Sequence, residues 1–143
     1  MTGTPHPPIL YAPEPALPVA EFRRVLHEAG LGSLRPLDDV PRLQAMLDGA
    51  TLLVTARLDA PGRPLVGLAR GVTDGTWCCY LSELAVCASV QRRGVGQGLL
   101  AEARRQLGPG VTLLLISTND ALPFYGRIGM TRLSNAFWFK RTR

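Results

Sequence analysis

The chain has 143 residues, 46% of them hydrophobic and 19% charged, which allows one domain with a buried core and leaves two domains cramped. No run of eighteen apolar residues occurs, and the start Met1-Thr2-Gly3-Thr4-Pro5 lacks the basic and apolar regions of a signal peptide, so a cytoplasmic protein without a membrane span is expected. The net charge of +5 comes from arginines scattered along the chain, with Lys140 the single lysine; this suits a polyanionic ligand but forms no nucleic-acid-binding tail or stripe.

Residues 1–18 hold six prolines, which exclude a helix or a central strand and leave either a short edge strand near Ile9–Ala12 or an irregular arm. From Val19 to Ala29, the apolar residues Phe22, Val25, Leu26 and Ala29 recur at spacings of three and four, an amphipathic helix stopped by Gly30 and Gly32. A second short helix runs to Leu47, capped by Asp38 or Asp39, with Pro41 in its first turn, where a missing N–H costs nothing. The period then changes. Thr51–Asp59, Leu65–Val72 and Trp77–Val86 read as three strands separated by the turns Ala60-Pro61-Gly62-Arg63-Pro64 and Thr73-Asp74-Gly75, an antiparallel meander.

The clearest helix of the chain spans Val95–Leu107, with Val95, Leu99, Leu100, Ala103 and Leu107 on one face. Val111–Ile116 follows as an apolar run of strand length, expected to be buried on both faces. Strand, helix and strand make a βαβ unit, so the strands ending at Val86 and Ile116 should be parallel neighbours. A short helix over Ala121–Arg127 and a last strand over Ala136–Arg141 complete a mixed sheet with helices on both faces.

Chemistry concentrates at Gln91-Arg92-Arg93-Gly94-Val95-Gly96-Gln97-Gly98, between a strand and the strongest helix. Unpaired N–H groups at a helix start attract anions, and glycines let those groups approach a phosphate. A dinucleotide fingerprint does not fit, because the third glycine falls at Gly98 instead of position 99 and no acidic residue lies near position 114. A P-loop does not fit either, since Gly-Lys-Ser/Thr is absent. Gln-x-x-Gly-x-Gly at the start of a helix remains, read either as a phosphate site or as a tight turn and nothing more. The cysteines Cys78, Cys79 and Cys87 have no disulfide or zinc spacing, and His6 and His27 are isolated, so no metal is expected.

Gln91–Gly96, the strand Ser82-Glu83-Leu84-Ala85-Val86 before it, and Asn119-Asp120-Ala121-Leu122-Pro123-Phe124-Tyr125-Gly126-Arg127-Ile128-Gly129-Met130 after it resemble the two ordered signatures of the GNAT superfamily of N-acetyltransferases. The likeness is strong from about residue 50 onward and weak before it. It implies an α/β (α+β) fold, a mixed and mostly antiparallel central sheet with a splayed parallel strand pair. It also implies acetyl-CoA as co-substrate and a small-molecule amine as acceptor, with attack by the amine in a ternary complex.

By the same resemblance, the pyrophosphate of coenzyme A would lie on the turn formed by Gln91, Arg92, Arg93, Gly94, Val95, Gly96 and Gln97. The pantetheine arm would pair with the backbone of Leu84, Ala85 and Val86 across a bulge near Leu84, and Asn119 would touch the cofactor. The N–H of Val86 would polarise the acetyl oxygen and Tyr125 would be the general acid. Glu83 would be the base, directly or through water, or would attract the amine; pairing with an arginine is the plainer alternative. Cys87 reads as a small buried hydrophobe. Family habit adds a homodimer, with Trp138 at an interface or in the core. A non-catalytic acyl-CoA-binding domain and a nucleic-acid-binding protein are the competing readings. The acceptor's identity is not legible, although the segments expected to build its pocket hold His27, Phe137, Trp138 and Phe139.

Overall fold

The computed structural model describes residues 6–143. Its elements are β1 (Ile9–Pro13), α1 (Val19–Glu28), α2 (Val40–Asp48), β2 (Leu52–Leu58), β3 (Leu65–Thr73), β4 (Cys78–Val86), α3 (Val95–Leu107), β5 (Thr112–Leu115) and α4 (Leu122–Arg127), with short 3₁₀ turns before α2, α3 and α4. The five strands pair in chain order, antiparallel from β1 to β4, and β5 lies parallel to β4. This is the mixed, mostly antiparallel sheet with one parallel pair that the sequence signatures imply.

Local chemistry accounts for the helices. In α1, Phe22, Val25 and Leu26 are fully buried, and Gly30 supplies the left-handed backbone that ends the helix at φ +81°. Asp39, not Asp38, caps α2: its carboxylate accepts from the N–H of Arg42, three residues on, and Pro41 occupies the first turn. α3 packs over β1 to β4, while α1 packs on β3 and β4 with α2 beside it. Leu65 to Gly71 of β3 are buried without a break, as a central strand requires when both faces of the sheet are covered. Gly67 lets α3 come close, because a Cβ there would stand 3.0 Å from the carbonyl oxygen of Ala85 and 3.2 Å from Leu99.

The proline-rich start contributes an edge strand, with Ile9–Pro13 paired to Val54–Leu58. Arg57 on β2 ties this region down, donating to both oxygens of Glu14 and both of Glu21 on α1.

Two expectations at the C-terminal end fail. Residues 136–141 form no strand, and β5 is not buried on both faces: Thr112 and Leu114 are exposed, as is Ile116 just beyond it. β5 is the last strand of the sheet, and Thr112 and Leu114, two residues apart, share the face that is left exposed. Among the described residues no helix is long and apolar enough to cross a membrane.

The Arg57 clamp sets an acid limit. Its hydrogen bond to Glu21 holds that carboxyl below its ordinary value of 4.5. The clamp's contribution is therefore complete above 4.5 and is lost as pH falls through the lower folded value. The denaturation midpoint of the protein should fall across this acid range, and Arg57→Met should flatten that fall. An unchanged acid limb in the variant would mean that the clamp adds nothing.

Candidate functional site

β4 runs on for five residues after β5 has left it. The parallel register pairs Cys78 to Leu81 with Thr112 to Leu115, and then β5 ends, so one edge of Ser82–Val86 has no strand beside it. On the other side, β4 stays paired to β3 through Val86. The N–H of Cys87 donates to the oxygen of Val66 at 2.8 Å, which makes Val66 and Cys87 a hydrogen-bonded pair of the antiparallel ladder. Such pairs alternate, so Ala85 is also committed to β3, while the backbone groups of Leu84 and Val86 point into the open cleft. Leu84 and Val86 thus present backbone groups at the open edge. Ala85 does not, because its N–H and carbonyl are turned to β3.

The splay begins at a bulge. Arg70 pairs with Glu83 and Gly71 with Leu81, which leaves Ser82 as the extra residue, two positions before the Leu84 expected from the sequence. A bulge leaves backbone groups unmatched, and Arg35 from the α1–α2 loop takes one of them, its Nη2 donating to the oxygen of Ser82 at 2.8 Å. The same guanidinium donates through Nε to Oε1 of Glu83 at 2.7 Å. Arg70 completes the cluster: its Nε donates to Oε2 and its Nη2 to Oε1 of Glu83, and its Nη1 donates to the carbonyl of Met46 in α2.

Glu83 is thus 1% exposed, with both oxygens spent on guanidinium groups. It does not lie open to an acceptor amine; the pairing with arginine, weighed as the plainer reading, is what the fold builds. This clamp could not be found from sequence, because the sheet register brings Arg70 to Glu83 and the packing of the α1–α2 loop brings Arg35 to it.

The glycine-rich turn lies at the open end of the cleft. Arg92 and Gly94 both have left-handed backbone, at φ +65° and +76°, which rotates successive amides toward a common concavity. Strain of this kind at Arg92 costs roughly 1–3 kcal/mol and tends to persist where a ligand site needs it. Gly94 is the N-cap of α3, and no side chain caps the helix, so its first N–H groups have no capping partner. A Cβ on Gly94 would meet nothing within 4 Å, as expected beside an open cradle. The residues therefore fit an anionic group such as a pyrophosphate.

The other two glycines serve packing. A Cβ on Gly96 would stand 3.1 Å from Cζ of Phe124, and one on Gly98 would run into the ring of Tyr11 on β1. Gly98 closes the glycine-rich segment of the sequence, and its partner on β1 explains why no side chain fits there.

The arginines of the turn differ in role. Arg93 is half-buried and donates to the carbonyl of Pro7 at 3.1 Å, which ties the turn to the N-terminal segment; Arg92 is exposed. Gln91 donates to the carbonyl of Val86 at 3.3 Å, joining the turn to the end of β4. Phe124, against Gly96, stacks edge-on with Tyr125 at 5.1 Å between ring centroids, so α4 brings Tyr125 next to the helix start. Burial pushes the Tyr125 phenol above its ordinary value, and it keeps its proton at neutral pH. Asn119 is exposed in the turn before α4 and caps no helix with its side chain.

Burial, reinforced by Glu28, pushes the Cys87 thiol up to about 11, so it stays protonated and is no nucleophile. An open groove of about 730 Å³ lies beside Arg35, lined also by Arg23, His27, Ser33, Leu37 and Asp38.

A family model described as an acetyltransferase (GNAT) domain matches residues 38–142, and the chain belongs to this family. No curated protein matches the sequence. Among solved structures, a proposed acetyltransferase from Deinococcus radiodurans R1 shares 26% identity over 99% of this chain and 94% of that one, with a TM-score of 0.74. A GNAT-family acetyltransferase from Streptococcus pneumoniae TIGR4 shares 24% identity, covering 93% and 98% of the two chains at a TM-score of 0.68. The aminoglycoside N-acetyltransferase AAC(6')-Iy, solved in complex with CoA, has the same fold at 13% identity, covering 99% and 100% at a TM-score of 0.70.

Removing Arg70 would leave the buried carboxylate of Glu83 with one charged partner, Arg35. Arg70→Ala should cost about 3–5 kcal/mol in urea unfolding, the scale of a broken buried ion pair. A loss below about 1 kcal/mol, the scale of surface pairs, would mean that water reaches the cluster and Glu83 is not locked.

Proposed function

We propose that the chain transfers an acetyl group from acetyl-CoA to a primary amine of a small molecule, by direct attack within a ternary complex. The observation that carries this reading is the open edge of β4: the backbone groups of Leu84 and Val86 face an empty strand position that leads to the uncapped start of α3. A ligand with amides along its arm and phosphates at its end matches that sequence of donors and acceptors.

In this reading Leu84 and Val86 pair with the pantetheine amides, and the N–H groups at Val95, Gly96 and Gln97 receive the pyrophosphate. Arg92 adds charge, Asn119 adds a polar contact, and Gln91 and Arg93 hold the turn in place. The N–H of Val86 donates to the acetyl oxygen as the amine nitrogen attacks the carbonyl carbon. A C–N bond forms, the C–S bond breaks, and the electron pair leaves on sulfur, where Tyr125 donates its proton. Burial keeps the Tyr125 phenol protonated until sulfur is expelled, and the tyrosinate left by the transfer regains a proton from water. Water takes the proton from the amine. Glu83 is a positioning residue in this scheme, since its oxygens already bind Arg35 and Arg70. The groove beside Arg35 is where the acceptor would enter.

Five arginines serve internal ion pairs, Arg24, Arg35, Arg57, Arg70 and Arg105, which weakens the nucleic-acid reading of the net charge.

Coenzyme A should raise the melting temperature as it occupies the site. Gly94→Val should abolish that rise, because a β-branched residue resists φ +76° and its side chain would fill the cradle. Gly96 is a poorer test, since a side chain there would also displace Phe124. Normal coenzyme A binding by the Gly94 variant would place the phosphate site elsewhere.

Tyr125→Phe should leave stability and coenzyme A affinity unchanged and lower turnover by roughly one to three orders of magnitude, once a panel of amines has yielded an acceptor. Full turnover in that variant would remove Tyr125 from the mechanism.

A further inference from the structure

The groove beside Arg35 is lined by two guanidinium groups that the fold holds in place without saturating them. Arg35 donates from Nε to Glu83, from Nη1 to the carbonyl of Leu34 and from Nη2 to the carbonyl of Ser82. A guanidinium carries five N–H donors, so one on each Nη has no protein partner, and the side chain keeps 22% of its surface open. Arg23, on α1, is fixed by a single bond, from Nε to the carbonyl of Leu37 at 2.7 Å. Among the described residues it has no carboxylate partner, and both its Nη groups are free.

The charges around the groove do not cancel. Arg35 and Arg70 share the one negative charge of Glu83, so that cluster keeps one positive charge, and Arg23 adds a second. On the acidic side, Asp39 is spent on the start of α2, where it accepts from the N–H of Arg42. Asp38 is left, exposed and without an ion pair among the described residues. Two cations against one carboxylate favour one further negative charge. A polycationic amine meets repulsion here, and a dianion meets Asp38. Arg35 also fixes where the added charge lies. Its Nη2 is bound to Ser82, the bulged residue at which the open edge of β4 begins.

We infer that the acceptor is an amine with a carboxylate on the same small skeleton, an amino acid or a close derivative. Its carboxylate is held by Arg23 and the spare N–H groups of Arg35. This rests on the acetyl-transfer reading above and names the substrate class of that site. The planar fork of a guanidinium matches a carboxylate in shape as well as charge.

The test compares amino acids and ω-amino acids with their amides as acceptors, using acetyl-CoA and the full chain. For the best acceptor, the free acid should exceed its amide in kcat/KM by about ten- to a hundredfold, the scale of a charge-assisted hydrogen-bonded pair. Arg23→Gln removes one exposed charge and should bring that ratio close to one, chiefly by raising KM for the acid, with unchanged far-UV circular dichroism. Equal kcat/KM for acid and amide in the unaltered protein overturns the inference. So does a preference for putrescine or spermidine, or an acid preference that survives Arg23→Gln. Failure of the acetyl-transfer reading shows separately, as acetylation of no amine in the panel. Calorimetry with the same acids and amides then decides the groove alone: tighter binding of the acids, lost in Arg23→Gln, supports the carboxylate site, and equal binding overturns it.

Discussion

Two guanidinium groups meet one buried carboxylate at the bulge of β4, and the shape of the site depends on that meeting. Ser82 is the residue without a partner on β3, and inserting it bends the strand. The bulge would be costly if the carbonyl it frees were left dry, but Arg35 reaches that carbonyl and Glu83 together. Arg70 closes the other side of the carboxylate and continues to the end of α2. A buried ion cluster of this kind is a weak source of net stability, because desolvation offsets much of the attraction. Its value here is geometric: the α1–α2 loop, the bulge and β3 are held in one register, so the edge beyond the bulge stays open.

That open edge gives the glycine-rich turn its meaning. A helix start with free N–H groups is common, and alone it would say little. Here it lies where the outward amides of Leu84 and Val86 lead, with Gln91 bonded to the last carbonyl of the strand. The glycines of the turn are not equivalent. Gly94 supplies left-handed backbone, Gly96 admits Phe124 and Gly98 admits Tyr11, so one short run joins the start of α3 to α4 on one side and to β1 on the other. Tyr125 reaches the site through Phe124. The second signature of the sequence is therefore coupled to the first by packing.

The site residues were legible in the sequence to different degrees, for identifiable reasons. Gly94 and the helix after it stood out because backbone conformation and helical periodicity are local properties. Glu83 was visible as the one carboxylate on its strand, but its partners were not, since no spacing relates Arg35 or Arg70 to it. Ala85 and Leu84 look alike in sequence, and only the hydrogen-bonded register distinguishes the residue turned to β3 from the one turned to the cleft. The expected strand over 136–141 shows the limit from the other direction: an apolar, aromatic run records a capacity to pair, not the presence of a neighbour to pair with.

The amino-acid sequence by itself determined the order of the helices and of the strands β2 to β5, the placement of the glycine turn between β4 and α3, and the membership of the chain among GNAT acetyltransferases. These follow from periodicity, turn chemistry and two ordered signatures, all of which act over a few residues. Tertiary structure alone decided that the bulge falls at Ser82, that Glu83 is locked between Arg70 and Arg35, that Arg93 holds Pro7 and leaves Arg92 at the surface, and that β5 ends the sheet with its edge bare. Each of these is a meeting of residues distant in the chain. Their energies depend on desolvation and register, which no local pattern encodes.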